Sequence, residues 1–181
     1  MRIAILRIGN VDEAVTQNVR VRLSEVFPQT VCTVLEKVMP MPRDAYSSAR
    51  DQYNSSRVLA GMSDFVEDCD AERVLGITDE DLYVPQLNFV FGEAECPGRF
   101  AIISLSRLKP RFYGQPPNRA LFHERSTKEA VHEIGHTLGL HHCPNPRCVM
   151  YFSNSILDTD HKAETFCDRC YSLVAKYISA D

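Results

Sequence analysis

Hydrophobic positions in this chain follow two different periods. The stretch Arg2–Ile8 is an almost unbroken apolar run and predicts a strand over residues 2–8. Val15, Val19, Leu23 and Val26 then recur at helical spacing, predicting a helix over 11–27 that stops before Pro28. Thr30–Val38 is β-branched and strand-like, ending at Pro40 and Pro42, and residues 49–67 suit a second helix. Arg73–Thr78, Leu87–Gly92 and Arg99–Leu105 read as further strands. Ala130, Ile134 and Leu138 form an apolar stripe with a four-residue repeat. Ser126-x-x-Glu129 reads as a capping box with Ser126 as N-cap, so a helix is predicted over 126–138. A last helix is expected over 168–179. The order predicts an α+β fold: a twisted mixed sheet of about five strands with helices packed on it.

The third helix carries most of the chemistry. His132-Glu133-Ile134-Gly135-His136-Thr137-Leu138-Gly139-Leu140-His141-His142 reads HExxHxxGxxH. Two histidines four apart on a helix lie on one face and reach one metal ion. Glu133 sits about 100° round the helix, close enough to hydrogen-bond a metal-bound water without ligating the metal. Had the helix continued, His142 would lie about 9 Å beyond His136 and about 240° round the axis, out of reach. A left-handed Gly139 ends the helix and returns the chain, so His142 approaches the same metal. His141 becomes the third ligand if the turn is one residue tighter; the motif spacing favours His142. Three neutral imidazoles leave zinc an open position for water.

Four of seven cysteines follow as C-x4-C-x18-C-x2-C: Cys143, Cys148, Cys167 and Cys170. Two close pairs across a loop suit a four-thiolate structural zinc, with His161 in the loop as a substitute ligand. Two disulfides, or a redox pair at Cys167 and Cys170, are alternatives; no thioredoxin-like strand–helix context precedes that pair. The start of the chain has too short an apolar run for an export signal, so a cytoplasmic location is expected, where zinc is favoured over disulfides. Cys32, Cys69 and Cys96 read as buried thiols.

At 181 residues one domain with a sizeable core is expected, and the chain is read as a monomer. The net charge of −4 argues against a nucleic-acid partner, and no apolar run is long enough to span a membrane. The segment Arg107–Arg119 holds four basic residues, three prolines and a glycine, so it is a loop. Arg107, Lys109, Arg111 and Arg119 are candidates for meeting a substrate carboxylate from a flap; a plain solvated loop is the commoner use of such a run.

HExxHxxGxxH with a methionine in a following turn is the metzincin signature. His142-Cys143-Pro-Asn-Pro-Arg-Cys148-Val149-Met150, with Cys167-x-x-Cys170 downstream, resembles the archaemetzincins within that clan. Asp81-Leu82-Tyr83 and Asn88–Glu93 also resemble that family. The resemblance implies a zinc metallopeptidase acting on peptides, with two zinc ions per chain. It implies His132, His136 and His142 on a catalytic zinc, Glu133 as general base, and Cys143, Cys148, Cys167 and Cys170 on a structural zinc. It implies Met150 as the Met-turn residue, an upper subdomain over 1–139, and a small lower one over 140–181. In the metzincin arrangement the next-to-last strand lies antiparallel at the sheet edge along the cleft. Leu87–Glu93 fits that place, which makes Asn88, Phe89, Val90, Phe91 and Gly92 candidates for substrate binding. Where some metzincins have a tyrosine two residues after the methionine, this chain has Phe152; Tyr151 comes one early, a candidate for the oxyanion role that reads better as a packed residue of the turn. The residues also admit a zinc-stabilised peptide-binding protein with little or no catalysis, or a hydrolase of a small non-peptide amide. The presence of Glu133, which a metal scaffold does not need, speaks for catalysis.

Overall fold

Strand β1, Arg2–Ile8, is an inner strand of the main sheet, and its side chains divide between two cores. The structure, a computed structural model, describes residues 1–178. After β1 come helix α1 (Glu13–Val26), strand β2 (Val31–Met39), the short strands β3 (Tyr46–Ser47) and β4 (Gln52–Asn54), and helix α2 (Ser55–Phe65). Strands β5 (Arg73–Thr78), β6 (Leu82–Tyr83), β7 (Gly92–Ala94) and β8 (Phe100–Ser104) follow, then helices α3 (Arg119–Thr137), α4 (Ile156–His161) and α5 (Asp168–Ile178). The main sheet has the order β2-β1-β5-β8-β7, parallel except for β7, which runs antiparallel to β8 at the edge. A small second sheet has the order β3-β4-β6.

The alternation along the central strands explains why both faces are covered. Ile3 and Ile5, with Leu75, Ile77, Ala101 and Ile103, face α1 and α3. Ala4, Leu6 and Ile8, with Val74, Phe100 and Ile102, face α2. A parallel strand buried on both faces must be apolar throughout, as the run 2–8 is. The first of these cores continues without a break into Leu140, Cys143, Cys148, Val149, Met150, Cys170 and Val174. The segment after α3 is therefore packed into the body of the protein. Among the described residues no helix is long and apolar enough to cross a membrane.

Several expectations need correcting. Residues 49–54 are not helical: Gln52–Asn54 forms β4, and Asn54 caps α2 by accepting from Arg57 N. The segment Leu87–Phe91 forms no ladder beyond a bridge from Val90 to Leu82; the edge strand is Gly92–Ala94, one step later. The third helix starts seven residues before the expected Ser126. Its N-cap is Asn118, whose side chain accepts from Leu121 N, and Ser126 Oγ donates to Phe122 O instead. The capping-box pattern was a coincidence inside a longer helix. Helix α4, absent from the sequence reading, has its own capping box, Ser155 with Asp158. The expected helix end at residue 179 lies outside the described residues. Of the three remaining cysteines, Cys32 is buried and Cys69 partly so, but Cys96 is exposed.

Candidate metal centre and cleft

Helix α3 brings His132 and His136 onto one face, their Nε2 atoms 3.0 Å apart. The chain then turns back through a Schellman motif. Leu140 N donates to Gly135 O and Gly139 N to His136 O, with Gly139 at φ +89°. His142 returns beside the first two, its ring centroid 5.0 Å from that of His136 and 5.4 Å from that of His132. One nitrogen from each of the three imidazoles lies within 4.8 Å of the others. His141 points elsewhere; its Nδ1 is 3.9 Å from Cys96 Sγ.

Two of the rings are oriented by carbonyls. His132 Nδ1 donates to Val149 O at 2.8 Å, and His136 Nδ1 to Leu140 O at 2.7 Å. With the proton on Nδ1, each Nε2 lone pair faces the shared space, which is the tautomer a metal requires. Burial pushes His132 well below the ordinary imidazole value, with Lys162 and His136 adding to it. Burial also takes His136 down to about 4 and lowers His142. The set is chemically suited to a divalent cation: neutral donors, converging and positioned from behind.

Glu133, beside His132, is buried, and burial together with nearby Glu129 raises its pKa well above the ordinary carboxyl value. It packs against Gly92, where a Cβ would fall 2.5 Å from Glu133 Oε1. Met150 lies beneath the helix, its sulfur so near Gly135 that a Cβ there would be 2.5 Å away. Residues larger than glycine at 92 or 135 would displace these side chains.

The four cysteines after the helix also converge, with their Sγ atoms within 4.8 Å of one another. Cys143 Sγ and Cys167 Sγ are 3.8 Å apart and all four are free thiols. About 3.8 Å is the spacing of thiolates arranged tetrahedrally at ~2.3 Å around zinc. A backbone hydrogen bond from Cys170 lowers Cys167 to about 7, whereas burial raises Cys148 and Cys170. Four crowded sulfurs cannot all ionise without a cation between them, so this donor set also fits a metal.

A cleft of ≈ 760 Å³ opens over the histidines. Asn88, Phe89, Val90, Phe91 and Gly92 form one wall, and Phe152, Ser153 and Asn154 form part of the other. Phe152, at the position of the missing tyrosine, packs its ring at a tilt against His142 with centroids 4.9 Å apart, whereas Tyr151 is partly buried away from the cleft. Three more residues at the site were not among the site candidates read from sequence. Glu93 accepts from the hydroxyls of Ser55 and Ser56. Glu129, one turn before Glu133, accepts from Thr159 Oγ1 at 2.9 Å and lies 3.1 Å from the fully buried Lys162 Nζ. No local pattern marks Lys162, since a lysine in a polar stretch ordinarily reads as solvated.

The basic loop does not reach the cleft. Arg107 forms a two-pronged pair with Asp81, and Lys109 pairs with Asp79 at 2.7 Å. Arg111 and Arg119 are exposed and line a separate pocket near the start of α3.

Fold and site together define a zinc metallopeptidase. The chain belongs to peptidase family M54, whose model matches residues 8–176, and its relatives are archaemetzincins. The archaemetzincin of Methanocaldococcus jannaschii is 48% identical over 170 residues, which is 94% of this chain and 90% of that protein. The crystal structure of Archaeoglobus fulgidus archaemetzincin, complexed with malonate, matches with a TM-score of 0.83 at 38% identity, covering 96% of this chain and 99% of that one. A zinc-dependent peptidase from Methanocorpusculum labreanum matches with a TM-score of 0.85 at 28% identity, covering 95% and 99%.

Proposed function

We propose that this protein hydrolyses peptide bonds in the cleft over α3, with His132, His136 and His142 holding a catalytic zinc and Glu133 acting as general base. The observation that carries the reading is the convergence of three imidazoles, two of them oriented by backbone carbonyls, beside a buried carboxyl on the cleft floor. When bound, zinc supplies Lewis acidity that polarises a carbonyl and acidifies water.

The chain's own residues do the rest. Among the described residues strand β7 pairs only with β8, so the main-chain groups of its other side are available to an extended peptide. Asn88, Phe89, Val90, Phe91 and Gly92 flank the substrate there, and Phe152 faces it across the cleft. Glu133 removes a proton from the attacking water and returns it to the leaving amine; its burial suits it to hold the proton between these steps. Met150 forms the Met-turn that fills the space beneath the histidines. Cys143, Cys148, Cys167 and Cys170 hold a second, structural zinc, which fits a reducing, cytoplasmic location. Among the described residues, 1–139 and 140–178 make the upper and lower walls of a site complete within one monomer.

His142→Ala tests the ligand assignment. The variant is expected to retain one zinc per chain against two in the wild type, measured by elemental analysis after gel filtration, and to lose peptide turnover. Retention of both zinc ions would remove His142 from the ligand set.

A further inference from the structure

Between Val84 and Val90 the upper rim of the cleft leaves the sheet. Its main chain makes one turn bond, Leu87 N to Val84 O at 3.0 Å, and rejoins β6 at Val90 N to Leu82 O, 2.9 Å. Two of the carbonyls in between are claimed by side chains from elsewhere. Arg50 Nη1 donates to Leu87 O at 3.2 Å, and Gln52 Nε2 to Asn88 O at 2.9 Å. The same Gln52 amide donates to Asp81 Oδ2 at 2.9 Å. Arg107 grips that carboxylate with two parallel bonds, Nε to Oδ1 at 2.8 Å and Nη2 to Oδ2 at 2.7 Å. Its guanidinium also lies 4.3 Å from the centre of the Phe89 ring and 4.9 Å from that of Phe112. Phe89 in turn meets Phe91 edge-on at 5.1 Å.

These contacts form one network that ends on the rim. Arg107, Asp81 and Gln52 all stand outside the cleft, yet between them they hold Asn88 by its carbonyl and Phe89 by its ring. A segment without ladder hydrogen bonds has little stability of its own and samples many shapes unless something else restrains it. Ordering such a segment when substrate arrives weakens binding, and restraining it beforehand removes that cost.

We propose that Arg107, with Asp81 and Gln52, is a positioning residue that holds the rim Asn88–Phe91 in its substrate-receiving shape. The proposal rests on the reading of the cleft as the peptide site. Only arginine provides both the fork that matches Asp81 and the flat cation that stacks on Phe89; lysine provides the charge alone. The loop 107–119, for which the sequence offered a substrate-contacting flap beside the commoner reading of a solvated loop, therefore acts on the rim through Arg107 and does not meet substrate.

Amide hydrogen exchange and steady-state peptide kinetics test this on the zinc-loaded protein. In Arg107→Ala, amides of residues 84–91 are expected to exchange about tenfold faster, with β1 and β5 unchanged. KM should rise about tenfold while kcat stays within about twofold. Arg107→Lys is expected to restore only part of either effect and guards against a misfolded alanine variant. Gln52→Leu should act in the same direction, and combining it with Arg107→Ala should add less than the sum of the two. Lys109→Ala, in the same loop but paired with Asp79, is expected to change neither readout. Unaltered exchange over 84–91 in Arg107→Ala, or a fall in kcat at constant KM, overturns the proposal. Should the wild type cleave no peptide, the exchange arm still decides the role of Arg107, while the kinetic arm counts against the peptidase reading alone.

Discussion

The imidazoles of His132 and His136 are kept neutral by the fold itself. Burial lowers both, and the carbonyls of Val149 and Leu140 direct the remaining proton away from the metal side. The sign of the pH effect follows. An imidazole whose pKa is lowered carries no proton for the metal to displace until the pH falls towards that lowered value, which for His136 is about 4 instead of 6.5. His142 is lowered too but is less buried, so at most one proton is displaced between pH 7 and 5. Zinc affinity of this site, measured by competition with a chromophoric chelator, should then fall by no more than about tenfold per pH unit over that range. Three ordinary imidazoles would give about a thousandfold per unit below 6.5. The measurement belongs in Glu133→Gln protein, which removes the raised carboxyl as a second source of protons. At this scale the motif residues were legible because their spacing is local. Glu93, Glu129 and Lys162 were not, because what makes them part of the site is contact with residues 30 or more positions away: Ser55, Thr159 and Glu129.

Among the elements, those defined by unbroken apolar periodicity were read well. β5 spans Arg73–Thr78 as expected, and α1 keeps Val15, Val19 and Leu23 on its buried face. Errors arose where a local pattern competed with tertiary contacts. Phe89-Val90-Phe91 has strand composition, but its rim is held by side chains of Arg107 and Gln52 and forms no ladder. Ser126-x-x-Glu129 has the spacing of a cap, yet both side chains are spent inside the helix and against α4. Asn118→Ala should therefore destabilise the protein by about 1 kcal/mol in denaturant unfolding, through loss of the bond to Leu121 N. Were Ser126 the true cap, Asn118→Ala would be neutral. The start of α3 matters because nineteen residues of helix carry His132, Glu133 and His136 from the loop into the core.

Seen whole, the molecule joins its two candidate metal centres through one packed core. His142 and Cys143 are consecutive, Cys143 N donates to Met150 O, and Met150 packs under Gly135 between His132 and His136. Cys148, Cys170 and Val174 belong to the same core as Ile3 and Ile134. The second centre thus fixes the segment that brings the third histidine back. Cys170→Ser is expected to lose the structural zinc, lower the thermal midpoint, and weaken zinc at the histidines as well; full retention of peptide turnover would show the two centres to be independent. The central claim is that Glu133 moves the proton in a peptide hydrolysis supported by the three-histidine metal. Turnover of a mixed peptide library by Glu133→Gln, with zinc content measured on the same sample, addresses it most directly. Unchanged zinc with turnover reduced about 10²–10⁴-fold is the predicted result; equal turnover in variant and wild type at equal zinc would contradict it.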